Sequence, residues 1–194
     1  MDPAVFEVIT ELEMRDEGER RRELPPEQRI LAVHPDAARL LHILAVGAKA
    51  RSIVEIGTGH GYATLWLAMA ARKYGGKVLT CEIDPTKAGE ARRNFARAGL
   101  DGSIELLVGD ARELLRGRDT PVDFVFIDAA KDQYEMYFDV LYKQTGLGSM
   151  IVADNVVSHE DELADYVTYV QNHPNLESAT VPIGRGLEIS VKIS

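Results

Sequence analysis

From Arg51 onward, short runs rich in aliphatic and β-branched residues alternate with longer amphipathic stretches: Ser52 to Ile56, Val78 to Ile83, Ile104 to Val108, Val122 to Ile127 and Met150 to Ala153. Each run is followed by a turn signal and then by residues at helical spacing, the pattern of parallel strands joined by crossover helices. After the last helical stretch, Asp161 to Asn172, the rhythm changes. Leu176 to Val181 and Leu187 to Ile193 flank Pro182-Ile183-Gly184-Arg185-Gly186 with no helix between them. That spacing suits a hairpin, which makes the final strand antiparallel to its neighbours. The reading is an α/β fold: a doubly wound, Rossmann-like sheet of seven strands with helices on both faces. With 194 residues and no internal repeat or linker, one domain over 1–194 is expected, divided into an N-terminal helical extension (1–50) and a core (51–194).

In the extension, Val5, Val8, Ile9 and Leu12 recur at helical spacing. Asp16 with Arg20 and Glu17 with Arg21 stand four apart, acid first, which predicts a solvated helical face over Arg15 to Glu23. Pro25-Pro26 breaks that pattern, and Asp36 opens a second helix with Leu40, Leu41 and Leu44 on one side. The 31 acidic residues outnumber 22 basic ones, so long-range attraction to nucleic acid or an anionic membrane is not expected. No apolar run approaches the roughly 20 residues of a membrane span, and Met1-Asp2-Pro3 has no secretory character; a soluble cytoplasmic protein is expected. One cysteine, Cys81, and five histidines offer neither an internal disulfide nor a thiolate zinc site.

Sheets of this kind bind ligands at the carboxyl ends of their strands. The first run ends in Glu55-Ile56-Gly57-Thr58-Gly59-His60-Gly61-Tyr62, where alternate glycines allow a tight turn and close approach of a ligand to the backbone. The dinucleotide fingerprint needs its third glycine where Tyr62 stands, and Glu55 is ill placed beside a pyrophosphate, so an NAD-dependent oxidoreductase is the weaker alternative. Glu82, at the end of the second run, is placed to accept from ribose hydroxyls, and Ile83 to lie against an adenine face. After the third run, Asp110 or the amides that follow, from Ala111 on, can meet the adenine edge. Each feature alone has a plainer reading, since glycine loops turn chains and Asp84 before Pro85 is good helix-cap chemistry. Three in register point to an adenosine cofactor.

The fourth and fifth runs lead into Asp128-Ala129-Ala130-Lys131 and Asp154-Asn155-Val156 on the same edge. Two carboxylates and an amide oxygen form a hard ligand set suited to Mg²⁺, Mn²⁺ or Ca²⁺, with magnesium favoured. The alternative is that each aspartate caps the helix that follows.

These motifs resemble the class I S-adenosylmethionine-dependent methyltransferases, whose glycine loop has the form E-x-G-x-G-x-G. The resemblance covers the sheet and implies the strand order 3-2-1-4-5-7-6. It implies that Glu55, Gly57, Gly59, Tyr62 and Ala63 serve the cofactor together with Glu82, Ile83, Asp110, Ala111 and Asp128, Glu55 placing negative charge near the methionine ammonium. Phe126-Ile127-Asp128 with Lys131 and Tyr134, followed by Ala153-Asp154-Asn155-Val156, is similar to the metal-dependent catechol and caffeoyl-coenzyme A O-methyltransferases. From that likeness Asp128, Asp154 and Asn155 are expected to hold the divalent ion, Asp128 and Lys131 to be catalytic, with Lys131 the base, and Tyr137 to touch the cofactor. Tyr134 is read as packing. The stretch Leu31 to Asp36, with Val33, corresponds to the segment that covers the cofactor.

The activity so implied is methylation of a small vicinal dihydroxy aromatic, a phenolic acceptor. The small Ala129-Ala130 predicts a more open acceptor wall, and His159 is a candidate to face the acceptor. Trp66 is read as packing, and the remaining histidines show no evident chemistry. A relative's activity on hydroxylated uridine in transfer RNA is the rival of the same chemistry, disfavoured by the acidic balance. The likeness also implies a homodimer.

Overall fold

The computed structural model describes residues 2–194, the side chain of Glu27 excepted. Its strands are β1 (Ser52–Ile56), β2 (Lys77–Glu82), β3 (Ile104–Val108), β4 (Val122–Ile127), β5 (Thr145–Ala153), β6 (Leu176–Val181) and β7 (Leu187–Lys192). The helices are α1 (Pro3–Arg21), α2 (Pro35–Gly47), α3 (Tyr62–Arg72), α4 (Pro85–Arg97), α5 (Ala111–Leu114), α6 (Tyr134–Tyr142) and α7 (Glu160–Gln171). The sheet runs β3-β2-β1-β4-β5-β7-β6, with the first five strands parallel and β7 antiparallel to both neighbours. Architecture, order and the inverted last strand agree with expectation.

Two apolar layers hold the sheet. Side chains alternate along each strand, so Ile53, Phe124 and Phe126 enter one layer with α1 to α4, while Val54, Val125 and Ile127 enter the other with α5 to α7. Strands covered on both faces read as continuous apolar runs, which is why the central strands were easy to see. Every residue of α3 from Tyr62 to Ala71 is buried, and its alanines let α2 pack close against it.

The structure departs from expectation in three places. β5 begins at Thr145 rather than Met150, because a register irregularity between Val122 and Phe124 lets the glycine-rich start of the strand pair. β2 ends at Glu82, so Ile83 leaves the sheet and is 73% exposed. The solvated face predicted for Arg15 to Glu23 is corrected. The pairs Asp16–Arg20 (2.6 Å) and Glu17–Arg21 (2.5 Å) form, yet Asp16 and Glu19 are buried. Asp16 accepts from the Ala32 amide (3.3 Å) and Glu19 from the Ile30 amide (2.7 Å), amides of an extended strap that has no strand to pair with. Among the described residues no helix is long and apolar enough to cross a membrane.

Candidate active site

Strand register brings the predicted residues to one edge. Ile56 pairs with Cys81 on one side and Ile127 on the other, Ile127 pairs with Ala153, and Glu82 pairs with Val108. The next residue on each strand therefore emerges beside its neighbours, around a cavity of about 410 Å³. Gly57 (φ +97°), Gly59 (φ +54°) and Gly61 (φ +89°) curl β1 into α3 in left-handed conformations. Two of them also stand against neighbours: a Cβ on Gly57 would lie 1.9 Å from the Asp128 carbonyl oxygen, and one on Gly61 2.4 Å from Phe95.

At one end of the cavity Glu82 is held by two amides, Gly59 to Oε2 at 2.7 Å and Asp84 to Oε1 at 2.9 Å. Ile83 offers its exposed side chain there, and Gly57, Gly59, Ala63 and Ala111 line the wall. Tyr62 lines it too, its hydroxyl donating to Glu13 of α1 at 2.6 Å. Tyr137 lies against the cavity with its hydroxyl on Gln133 (2.8 Å). The strap Ile30-Leu31-Ala32-Val33 closes one side, with Leu31 in a left-handed conformation (φ +50°) that the buried acids of α1 hold in place.

One predicted role needs correction, that of Glu55, and the surroundings of Asp110 and Asp154 add detail to theirs. Asp110 lines the cavity; its carboxylate caps α5 through the Arg112 amide (2.8 Å) and is forked by the Arg112 guanidinium, which holds it below the usual carboxylate range. Asp154 is buried and does not line the cavity. Glu55 likewise has no exposed surface: Thr64 and Thr80 donate to its Oε2 at 2.5 and 2.6 Å, behind the glycine loop, so direct contact with a cofactor ammonium is not seen. Burial pushes the Glu55 carboxyl up to about 8.

That burial has a measurable consequence. An ordinary glutamate titrates near 4.5, so folding takes up a proton at Glu55 over the interval from about 4.5 to 8. The contribution to stability is complete below the lower value and is lost as pH rises through the upper one. Glu55→Gln is expected to flatten the fall in stability between pH 5 and 8, read from urea unfolding curves. A slope equal to that of the parent would assign the titration elsewhere.

At the other end, Asp128, Asp154 and Asn155 are brought together. The Asn155 side-chain amide lies 2.7 Å from Asp128 Oδ1, reached from a left-handed backbone (φ +73°) that few residues other than asparagine and glycine tolerate. Burial and the adjacent Asp128 charge push the Asp154 carboxyl up to about 7. Lys131 Nζ donates to Asp128 Oδ1 (3.2 Å) and to the Tyr134 hydroxyl (3.0 Å), which in turn donates to the Asp154 carbonyl (3.3 Å). Tyr134 thus positions the lysine as well as packing, a role its apolar helical spacing hid. Ala129, Ala130, His159 and Arg185 complete this end. Arg185 and His60, also on the cavity wall, were not singled out by any motif.

The donor set suits a hard divalent cation. Asp154 Oδ1 is buried without a hydrogen-bond partner, a costly state for an oxygen that two carboxylates and a cation would resolve. Turned about its last bond, the Asn155 amide presents its oxygen in place of its nitrogen. Among the described residues no three His, Cys, Asp or Glu side chains cluster here, and the oxygen of that amide would supplement the two carboxylates.

Residues 12–193 match the family described as O-methyltransferase. The chain belongs to that family. It is 37% identical over 131 residues to a catechol O-methyltransferase of Niastella koreensis, covering 66% of this chain and 59% of that protein. A catechol O-methyltransferase of Mycobacterium tuberculosis is 34% identical over 168 residues, 80% of this chain and 76% of the relative. Among solved structures, the O-methyltransferase from Bacillus cereus in complex with S-adenosylhomocysteine superposes with a TM-score of 0.80 at 28% identity, over 99% of this chain and 91% of that one. The chain therefore spans less than two thirds of the first of these relatives and about three quarters of the second.

Proposed function

We propose that this protein is an S-adenosylmethionine-dependent O-methyltransferase that methylates one hydroxyl of a small vicinal dihydroxy aromatic with the help of a divalent cation, Mg²⁺ first. The observation that carries the reading is the meeting of Asp128, Asn155 and Lys131, with buried Asp154 beside Asp128, at the end of a cavity whose other end holds the glycine loop and Glu82. Family membership and the relatives' catechol specificity support it.

The residues divide the labour. The two amides on Glu82 fix its carboxylate toward the ribose position, and Ile83 supplies an apolar face for the base. Asp128, Asp154 and Asn155 would hold the cation, whose chemistry is to orient adjacent hydroxyl oxygens and to stabilise the anionic form of one of them. Lys131, which donates to Asp128 and to the Tyr134 hydroxyl and is steadied by both, would accept at Nζ the proton of the substrate hydroxyl. Ala129 and Ala130 leave room for an aromatic ring, and the fixed walls align its oxygen with the methyl group, an orientation effect that can supply several kcal/mol of barrier lowering.

Transfer of labelled methyl from S-adenosylmethionine to a panel of vicinal dihydroxy aromatics tests the reading. Product is expected with Mg²⁺, is lost with EDTA, and returns when excess Mg²⁺ is added. Undiminished transfer in EDTA would remove the cation from the proposal, and methylation of transfer RNA in place of the panel would favour the nucleic-acid rival.

A further inference from the structure

The hairpin between β6 and β7 does more than close the sheet. Its tip, Pro182 to Gly186, is wedged from two sides: a Cβ on Gly184 would lie 2.5 Å from His34 Cβ at the start of α2, and one on Gly186 2.3 Å from Val157 Cγ2. The carbonyl of Arg185 accepts from both the Val157 amide (3.0 Å) and the Ser158 amide (2.9 Å), and that of Gly186 accepts from Val156 (3.1 Å). These contacts dock the tip directly onto the loop that follows Asn155. The backbone of Arg185 is therefore fixed beside the acceptor end, and the residue lines the cavity with His159, Ala129 and Ala130.

Four cationic side chains line this cavity, and their partners differ. Arg112 is paired with Asp110 (2.5 Å) and Lys131 with Asp128 (3.2 Å). Lys87 stands on the first turn of α4, at the Glu82–Ile83 end. Arg185 alone belongs to the acceptor end and has neither an ion pair nor a side-chain hydrogen bond among the described residues. The nearby buried Asp154 feels its charge without pairing with it. An arginine on a docked loop at the cavity wall, with no anion paired to it among the described residues, is suited to take an anion from a ligand. Its planar fork matches a carboxylate through two parallel hydrogen bonds.

We propose that Arg185 is the specificity determinant for a carboxylate on the acceptor, so that the preferred substrates are dihydroxy aromatic acids rather than neutral or amine-bearing catechols. The inference rests on the catechol reading above and extends it. With the two hydroxyls engaged at Asp128, Asp154 and Asn155 and the carboxylate at Arg185, the ring has one orientation. One of the two hydroxyls is then presented to the methyl group, so Arg185 also sets which positional isomer is made.

The test compares 3,4-dihydroxybenzoate, unsubstituted catechol, 3,4-dihydroxyphenethylamine and a coenzyme A thioester of a dihydroxy aromatic acid, with Mg²⁺, in the parent and in Arg185→Met, Arg185→Lys and Arg185→Glu. The parent is expected to prefer the benzoate over catechol in kcat/KM. Arg185→Met should lower that preference at least tenfold, mostly through KM, and scramble the positional isomers; Arg185→Lys should restore part of it, and Arg185→Glu should shift preference to the amine. Calorimetric titration of 3,4-dihydroxybenzoate into the S-adenosylhomocysteine complex should show the same loss of affinity without any turnover. S-adenosylhomocysteine affinity reports on folding in each variant. The proposal is overturned, with the catechol reading intact, by a preference unchanged in Arg185→Met, by a parent that prefers the thioester, or by a parent that takes catechol but not the benzoate. A tenfold loss of S-adenosylhomocysteine affinity in a variant that melts like the parent would place the arginine on the cofactor and overturn it too. A parent that methylates none of the four removes the catechol reading and this inference together.

Discussion

Asp128→Ala is expected to lower kcat/KM for a catechol at least a thousandfold, about 4 kcal/mol of transition-state stabilisation, while S-adenosylhomocysteine still binds. The side chain is shared: its Oδ1 is met by Asn155 at 2.7 Å and by Lys131 at 3.2 Å. Removing it takes away one of the two carboxylates proposed for the cation and releases the lysine from its place. The fold should survive, because the backbone bond from the Asp128 amide to the Ile56 carbonyl (2.9 Å) does not depend on the side chain. The loss also relieves the like charge that burdens buried Asp154. Steady-state kinetics beside calorimetry with S-adenosylhomocysteine separates the two effects. Lys131→Met gives the contrast: turnover drops by roughly 10²–10⁴, the range of a lost general base, while the affinity for Mg²⁺ is retained. An Asp128→Ala enzyme within tenfold of the parent would dismiss the aspartate from the chemistry.

Gly57→Ala should be the most damaging single change in the cofactor loop. The position needs a left-handed backbone (φ +97°), and the added Cβ would meet the Asp128 carbonyl oxygen at 1.9 Å, backbone against backbone, with no flexible side chain to yield. Either the glycine loop or the end of β4 must move, at a cost of roughly 2–4 kcal/mol. A melting temperature lower by roughly 5–12 °C follows for a chain of this size. S-adenosylhomocysteine affinity should fall at least a hundredfold, because the loop that moves carries the amide of Gly59 that steadies Glu82. Gly59→Ala is the control: its φ is +54° and nothing stands within 4 Å of the added atom, so only the left-handed cost of about 1 kcal/mol applies. Equal melting temperatures for the two variants would show that the close approach to β4 is unimportant.

The order of the strands and the edge that carries the site were legible because both follow from patterns with a fixed period. Ile53, Val54, Phe124 and Val125 alternate between two buried layers, and a strand buried on both faces leaves an unbroken apolar run in the sequence. Glu82, Ile83, Asp128 and Asp154 could be placed on that edge because each directly follows or ends such a run. What stayed hidden depends on contacts between distant segments. Asp16 and Glu19 look like members of a solvated, salt-bridged face, and only the docking of the strap shows that two backbone amides need them. Tyr134 looks like core, and its hydroxyl acquires a purpose only when Lys131 folds over it. Glu55 showed the opposite failure. The resemblance implied that Glu55 places negative charge near the methionine ammonium, whereas alternation in β1 turns its side chain into the layer beneath, between Thr64 and Thr80.

Helix α1 grips the rest of the molecule at points that matter to the cavity. Glu19 and Asp16 hold the strap, Glu13 takes the Tyr62 hydroxyl, and Arg15 and Glu11 reach across to Glu90 and Arg97 of α4 at 3.0 and 2.7 Å. A wall of the binding site is thus fastened from the outside, by a segment remote in the chain from the glycine loop. Any agent that levers this helix away, such as an ill-chosen fusion tag or an antibody raised against the first twenty residues, would unlatch the cavity from behind while leaving every residue after Arg51 chemically intact.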